Sequence, residues 1–335
     1  MTSGESTETG TRMRAVVQHE YGGPETLHLG EIERPVPGAG QVLVEVRAAG
    51  VERGVEHLRT GVPLLIRPVY GWRRPKNPVR GREAAGVVAE VGEGVTRFAV
   101  GDEVFGVAEG TFAEYAVGEE SKLAHLPAGM SFIDAAALPI SGITALQGLL
   151  EVGGLEAGQD VLVIGASGGV GSFAVQIAHA TGATVTGVCS GAKADLVRSL
   201  GADHVIDHTS EDFATGDRRY DLVFDIGGNS SLRRLRRVLR RDGTLVLVGG
   251  ESAGGKLLAG FDRQLRAVAL SPFISQRLTM FVAGEDHERL EQLASMVEQG
   301  QLRPAVGATY ELADAPQAMR DLAAGRARGK LVVTI

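Results

Sequence analysis

The sequence contains very little cysteine and no long apolar run. Cys189 is the single cysteine, which excludes an internal disulfide and a cysteine-rich zinc site. No run reaches about 18 apolar residues, and residues 1–12 lack a secretion signal, so we expect a cytoplasmic protein with no membrane partner. Basic residues are also fewer than acidic ones, 34 against 41, and the resulting net charge of −7 argues against nucleic acid as a partner.

Glycine, by contrast, is abundant, and the chain is long enough for two domains. The 47 glycines in 335 residues are about twice the usual share of ~7%, and a domain takes roughly 100–200 residues. Residues 1–12 are predicted to form a disordered tail, and after them short apolar runs between Gly and Pro turns predict an all-β barrel or sandwich module. Its predicted strands are 14–17, 42–48, 84–91, 103–107 and 112–117. Residues 64–80, rich in proline and arginine, are predicted to form a long loop.

From about residue 132 the pattern changes to alternating strands and helices. The apolar run 161–164 is typical of a strand buried on both faces, and residues 170–180 have helical spacing. Further strands are predicted at 185–188, 204–206, 222–225 and 245–248, and helices at 193–200, 231–239 and 288–298. This alternation predicts a doubly wound parallel sheet. Residues 305–335 return to strand, helix and strand, and are expected to rejoin the first domain.

A glycine-rich loop stands between the first predicted strand of this sheet and its helix. Residues 165–171 read G-A-S-G-G-V-G, so they include Ser167, Gly168, Gly169 and Val170. A helix N-terminus offers unpaired N–H groups and the positive end of a dipole, and glycines let a pyrophosphate approach the backbone. A tight turn without a ligand is the alternative, but four glycines in seven residues exceed what a plain turn requires.

The end of the second strand indicates the type of dinucleotide. NAD enzymes usually place an acidic residue there, on the ribose hydroxyls. Here the strand is followed by C-S-G-A-K, with no carboxylate before Asp195. Ser190 and Lys193 offer a hydroxyl and a cation to a 2′-phosphate, which favours NADPH over NADH. Lys193 as a solvated surface residue is the alternative.

Five segments together make the chain resemble the zinc-independent, quinone-oxidoreductase-like branch of the medium-chain dehydrogenase/reductase superfamily. They are G-R-E-A-A-G-V-V (81–88), V-G-D-E-V-F-G (100–106), A-L-P with G-I-T-A (137–145), the glycine loop, and L-G-A-D (200–203). The resemblance implies an α/β fold with a GroES-like β-barrel catalytic domain (13–131 and 273–335). A Rossmann NADPH-binding domain (132–272) is inserted into it, and the nicotinamide meets the substrate in the cleft between them.

The resemblance also implies the cofactor-binding residues. Thr144 is expected near the nicotinamide ribose, while Gly168, Gly169 and Val170 hold the pyrophosphate. Ser190 and Lys193 are expected to hold the adenosine phosphate, Gly227 and Gly249 to face the cofactor from strand ends, and Lys330 to lie near the cofactor. His208 replaces a common tyrosine beside the adenine. Relatives of this branch also imply a homodimer or homotetramer, and we predict that edge strands at residues 268–273 pair across a two-fold axis.

The segment that binds zinc in other branches is altered here. Arg82 stands where zinc-dependent relatives have a histidine, and the single cysteine lies in the other domain. Since a catalytic zinc needs three protein ligands, no metal site is predicted. His57 and His125 remain, and an isolated histidine is more often structural than a ligand.

The main departure from the family pattern lies in G-V-E-R-G-V-E-H (50–57), where relatives usually have Asn and Asp at the positions of Glu52 and Val55. Glu52 is either the result of neutral drift at a tolerant position or an acid/base whose carboxyl group has a raised pKa. Our candidate catalytic residues are Glu52, His57, Tyr70 and Arg82.

The leading hypothesis is NADPH-dependent hydride transfer to an electrophilic small molecule, either a quinone or the C=C of an enone. Two rival hypotheses remain open. One is a specialised enzyme in which Glu52 acts as acid/base without consuming NADPH. The other is a non-catalytic NADPH-binding protein.

Overall fold

The computed structural model describes residues 11–249 and 260–335, and its first part is a β module with two short helices. Valines at every second position of its longest strand, Val42, Val44 and Val46, are buried on one face. The elements are β1 (Arg12–Val17), β2 (His28–Glu33), β3 (Gln41–Val51), α1 (Arg53–Thr60), α2 (Arg67–Tyr70), β4 (Glu83–Val91), β5 (Glu103–Val107), β6 (Tyr115–Glu119) and β7 (Leu123–His125).

The second part is a six-stranded parallel sheet with helices between its strands. Its elements are α3 (Phe132–Ala136), α4 (Pro139–Leu146), β8 (Asp160–Ile164), α5 (Gly169–Ala180), β9 (Thr184–Cys189), α6 (Ala194–Ser199), β10 (His204–Asp207), β11 (Tyr220–Asp225), α7 (Leu232–Val238), β12 (Leu239–Leu247), α8 (Phe261–Leu270) and β13 (Arg277–Met280). The strand order β10-β9-β8-β11-β12-β13 is that of a dinucleotide-binding fold. The order reverses between β8 and β11, and in folds of this kind a ligand is expected at the carboxyl ends of the two strands that flank such a reversal.

The last part of the chain returns to the β module, as predicted. Its elements are α9 (His287–Glu298), β14 (Val306–Glu311), α10 (Ala315–Ala323) and β15 (Lys330–Thr334). Strand β15 lies between β14 and β3 in a seven-stranded sheet of order β14-β15-β3-β4-β5-β7, with β6 paired to β3. Gly168 and Gly329 form a parallel bridge, so the last strand is connected to the glycine loop of the other domain. The predicted α/β class with two domains is confirmed.

Four predictions about the chain's organisation need correction or fall outside the described residues. The domain boundary at 272/273 is too early, because β13 pairs in parallel with β12 inside the six-stranded sheet. Residues 268–273 are not a strand, since they form the end of α8 and a 3₁₀ turn. The predicted loop 64–80 contains a 3₁₀ turn and α2, because Pro63 and Pro68 stand at positions that start helices. The predicted tail overlaps β1 by one residue at Arg12, and residues 1–10 lie outside the described part.

Among the residues that the structure describes, no helix is both long and apolar enough to cross a membrane.

Candidate active site and cofactor cleft

The glycine loop joins the end of β8 to the start of α5. Gly168 is the N-cap of α5 and contributes no side chain to the first turn, so the helix begins without a side-chain acceptor for its free N–H groups. Gly165 has a φ of +91°, a left-handed conformation that favours glycine. The loop therefore presents bare backbone at a positive helix end, as a diphosphate requires.

The space around these glycines divides them into two kinds. A Cβ built on Gly171 would overlap the carbonyl oxygen of Gly165, so this glycine permits the close packing of loop on helix. A Cβ on Gly168 would meet only the Gly165 oxygen, at 3.5 Å, and its φ of −88° is open to any residue. The fold itself does not need a glycine at 168. The empty space there is explained by a ligand that approaches the backbone, and the loop fits the pyrophosphate of a dinucleotide.

A cleft of about 770 Å³ opens beside this loop, at the carboxyl ends of the parallel strands. Five of the predicted cofactor residues line it: Ser167, Ser190, Lys193, His208 and Gly227. Cys189 also lines it and is buried, and burial raises the pKa of its thiol, as expected for a packed residue rather than a nucleophile. The structure therefore brings together, from the ends of four strands, residues that the sequence predicts to bind one ligand.

Six predicted cofactor residues do not line this cleft: Thr144, Gly168, Gly169, Val170, Gly249 and Lys330. Gly169 and Val170 begin α5, and Thr144 is buried in α4, where its hydroxyl donates to the Ile140 carbonyl at 2.6 Å. Gly249 is buried at the end of β12, and a Cβ there would overlap the Ile226 carbonyl oxygen.

An ion pair that sequence reasoning missed organises the strand ends around Gly249. Asp225, which is completely buried at the end of β11, receives a hydrogen bond from Arg263 at 2.6 Å. Arg263 also donates to the carbonyl oxygens of Gly249 and Ser230 at 2.5 and 2.8 Å. Burial raises the pKa of Asp225 against the stabilising effect of Arg263. An aspartate at the end of an apolar strand was the available signal, but its partner lies 38 residues away.

Lys193 lines the cleft, but its ammonium already has protein partners. Its Nζ donates to the carbonyl oxygens of Gly325 at 2.8 Å and Ala327 at 2.6 Å. Burial, followed by repulsion from Arg328, lowers the pKa of Lys193. The alternative of a solvated side chain is therefore wrong, and one N–H of the ammonium remains for a ligand.

Lys330 occupies a buried position beneath the glycine loop. Its Nζ pairs with Glu83 and donates to Ser141 Oγ at 2.9 Å, and both charged side chains are almost fully buried. Glu83 also accepts a hydrogen bond from the Ile140 amide at 2.8 Å. The predicted cofactor contact is therefore replaced by an ion pair that joins β15, β4 and α4, with the Lys330 Cδ 3.4 Å from a Cβ built on Gly169.

Three of the four candidate catalytic residues belong to one polar cluster at the start of β4. Arg82 donates to Glu285 at 2.5 Å, and Glu285 lies between β13 and α9. Burial lowers the pKa of Arg82, but Glu285, Glu52 and Tyr70 outweigh burial, so the pKa is raised overall. Arg82 is thus a permanent cation held between the two domains.

Glu52 contributes to this cluster and also begins a helix. It is buried, it is the N-cap of α1, and one carboxylate oxygen accepts from the Gly54 amide. The other oxygen, Oε1, has no hydrogen-bond partner among the described residues. A buried carboxylate oxygen without a partner is expensive, so it marks a place where a ligand or water binds.

His57 lies within α1, and its Nδ1 is 2.8 Å from the Val62 carbonyl oxygen. Within residues 11–249 and 260–335, no three His, Cys, Asp or Glu side chains are grouped as metal ligands.

Comparison with known proteins assigns the chain to a family. Residues 38–128 match the model of the alcohol dehydrogenase GroES-like domain, and residues 200–333 match that of the zinc-binding dehydrogenases. A quinone oxidoreductase from Rattus norvegicus is 31% identical over 96% of this chain and 98% of its own length. The quinone oxidoreductase from Coxiella burnetii superposes with a TM-score of 0.86 at 26% identity, over 97% of this chain and 100% of that one.

A mycobacterial protein, solved in complex with NADPH, superposes with a TM-score of 0.82 at 29% identity, over 96% of this chain and 100% of that one. Together with the parallel sheet and its glycine loop, these likenesses agree with the resemblance carried by the sequence motifs. The chain belongs to the quinone-oxidoreductase-like branch of the medium-chain dehydrogenase/reductase superfamily and is an oxidoreductase that uses a nicotinamide cofactor.

Proposed function

We propose that this protein uses NADPH, without a metal, to reduce a quinone or the C=C bond of an α,β-unsaturated carbonyl compound. The observation that carries the proposal is Arg82, a half-buried cation that stands where zinc-dependent relatives have a ligand and is held by Glu285. When bound, NADPH supplies the hydride. The chain's own task is to stabilise the negative charge that then develops on the substrate oxygen.

Arg82 suits that task because its charge does not depend on pH in the physiological range. A guanidinium donates hydrogen bonds from a rigid fork but does not give up its proton, so it stabilises an oxyanion without acting as the acid. Its side chain is 29% exposed, which leaves part of it accessible to a substrate. The proton therefore comes from water or from a carboxyl group.

Glu52 weakens the stabilisation of a substrate oxyanion by Arg82 in two ways. Its carboxylate lies close enough to Arg82 to raise the pKa of the guanidinium, so it competes with a substrate oxyanion for the same cation. It also repels developing negative charge. Glutamine keeps an acceptor oxygen for the Gly54 amide but removes this charge, which separates the capping role from the chemical role.

We expect the Glu52→Gln variant to consume NADPH at least as fast as the wild type with a panel of quinones and enones. We expect Arg82→Gln to lose about 2–3 orders of magnitude in kcat, the usual effect of removing one oxyanion donor. Stopped-flow absorbance at 340 nm measures both, and Val36→Ala, at an exposed residue of the β module, serves as a control. Equal rates for Arg82→Gln and wild type would refute the proposed role.

The alternative in which Glu52 is an acid/base is favoured by its unpartnered oxygen. In that case Glu52→Gln abolishes product formation, and product appears in the wild type without net oxidation of NADPH. Tight NADPH binding without turnover on the whole panel would instead support a non-catalytic protein.

The preference for NADPH over NADH is the finer part of the proposal. Lys193, Ser190 and Arg234 line the cleft, and the remaining N–H of Lys193 is available to a 2′-phosphate. We expect Lys193→Met to weaken NADPH binding by about tenfold, the effect of losing one charge-assisted hydrogen bond, and to leave NADH binding unchanged. Fluorescence titration with both nucleotides measures this ratio, and an equal loss for NADH would show that Lys193 only anchors the 325–327 loop.

We also propose that the protein is a homodimer assembled on the edge strand β13 rather than on residues 268–273. β13 is the last strand of its sheet, and Phe273 and Val282 on either side of it are 83% and 84% exposed. An open strand edge with exposed apolar residues on both sides is a surface on which a second copy of the chain can pair. We expect Phe273→Asp to shift a dimer to monomer in light scattering at micromolar concentration, whereas Val36→Asp, at an equally exposed valine, has no effect. A monomeric wild type would contradict the proposal.

A further inference from the structure

The outer side of the nucleotide-binding domain carries an arginine cluster that the proposed reaction does not use. Residues 231–241 read S-L-R-R-L-R-R-V-L-R-R and run through α7 into the start of β12. Six arginines thus follow closely in a chain whose net charge is −7. Like charges three and four residues apart destabilise a helix, so such a cluster costs stability unless an anion offsets it.

The cluster borders a cavity of about 640 Å³, which we name the arginine cavity. Four guanidinium side chains line it together with two leucines and two neutral polar residues: Arg233, Arg236, Arg237, Arg241, Leu232, Leu270, Ser275 and Gln276. None of these lining residues is acidic. The arginine cavity shares no lining residue with the cofactor cleft, so the two are separate places.

The arginines divide into a neutralised set and an unpaired set. Arg234 pairs with Asp212 at 2.6 Å and Arg240 pairs with Asp221 at 2.7 Å, and neither of these arginines lines the arginine cavity. The unpaired set lines the arginine cavity: Arg233, Arg236, Arg237 and Arg241 form no ion pair with any residue of 11–249 or 260–335. These unpaired guanidinium groups give the arginine cavity a net positive charge.

Neutral polar neighbours hold the cationic side of the arginine cavity in place. Gln276 accepts from Arg236 Nε at 3.0 Å and donates to the carbonyl oxygens of Arg236 and Arg240 at 2.9 and 3.2 Å. Ser275 Oγ donates to the Arg241 carbonyl at 2.6 Å. The guanidinium of Arg236 is therefore oriented through its Nε while its two terminal nitrogens remain for a ligand. Such prior ordering lowers the entropy cost of binding.

We propose that the arginine cavity binds a small molecule that carries at least two phosphate groups. The guanidinium fork matches phosphate oxygens in pairs, and four cations exceed what a single monoanion neutralises. The cavity volume is within the range of roughly 300–1,000 Å³ for small-molecule sites. Leu232 and Leu270 offer apolar contact to the organic part of the ligand. The net charge of −7 disfavours a long polyanion such as nucleic acid.

Calorimetric titration with sodium pyrophosphate, at constant ionic strength and with saturating NADPH, tests this site. We expect the wild type to bind pyrophosphate and the double variant Arg233→Gln/Arg237→Gln to bind it about tenfold more weakly or worse, because two charge-assisted hydrogen bonds are lost. The matched control is Arg12→Gln/Arg320→Gln, which removes two exposed charges from the β module and leaves binding unchanged. The cofactor cleft is the same in all three proteins, so their difference does not depend on whether NADPH occupies it.

Thermal unfolding gives a second readout that is independent of the heat of binding. Pyrophosphate raises the Tm of the wild type and of the control, but not that of the double variant, since a ligand that binds only the folded state stabilises it. Equal affinity in all three proteins, or no binding up to about 10 mM, would overturn the proposal. So would a duplex oligonucleotide that binds more tightly than pyrophosphate and is lost in the same variant, because the ligand would then be a nucleic-acid backbone.

Discussion

The Gly171→Ala variant is expected to lose NADPH binding completely and to unfold more easily. Its Cβ would overlap the Gly165 carbonyl oxygen, which is backbone and has no rotamer with which to move away. The loop must therefore shift, and the free amides at the start of α5 lose their alignment on the diphosphate. Overpacking of this kind costs about 1–3 kcal/mol of folding free energy.

The informative comparison is Gly168→Ala in the same loop. Its Cβ has an ordinary contact distance of 3.5 Å, and its φ is open to alanine, so the unfolding midpoint in urea is expected to stay at the wild-type value. Affinity for NADPH, measured by fluorescence titration, is expected to fall by about tenfold or more because a methyl group occupies the space of the phosphate. Wild-type affinity in both variants would show that the loop is not the diphosphate site.

The second large effect is expected on removal of Lys330. Lys330→Met leaves the Glu83 carboxylate buried without its cation, which costs about 3–5 kcal/mol at pH 7. The double variant Lys330→Met/Glu83→Gln removes the remaining charge and is expected to recover part of this loss. Arg12→Gln, which breaks an ion pair with 60% and 64% exposed side chains, is expected to change the midpoint little.

The pH dependence of Lys330→Met follows from the same burial. Burial already raises the pKa of Glu83 against the effect of Lys330, and loss of the lysine raises it further. When the folded-state pKa of Glu83 lies above the unfolded value of about 4.3, losing the proton costs more free energy in the folded state than in the unfolded state. The free energy of unfolding therefore falls as the pH rises above that value. Urea midpoints of Lys330→Met should therefore approach the wild type near pH 4.5 and diverge towards pH 7. A pH-independent difference would show that lost packing, not charge, is responsible.

The features that the sequence predicted well are local in the chain. The glycine loop, the strand before it and the helix after it occupy consecutive residues, and the apolar run of β8 shows its burial directly. The motifs at 81–88 and 100–106 likewise lie on single strands or tight turns. For such segments the chemistry of each residue and its immediate neighbours decides the conformation.

The features that were missed depend on residues far apart in the chain. Lys330 pairs with Glu83 across 247 positions, and Lys193 contacts carbonyls 132 and 134 residues later, so no spacing rule identifies these partners. Residues 268–273 were mistaken for an edge strand because Val268 is apolar and yet exposed, at 44%, on a helix. An apolar residue on the outer face of a helix violates the periodicity from which sheets and helices are told apart.

The position of β15 between β14 and β3 has a consequence for synthesis on the ribosome. The nucleotide-binding sheet is complete once β13 has emerged, but the edge of β3 that receives β15 stays unpaired until residues 330–334 are translated. The inserted domain is thus able to fold while the enclosing one is still an incomplete β structure with an open edge. Until β15 emerges, the nascent polypeptide therefore exposes that edge to chaperones and to neighbouring chains.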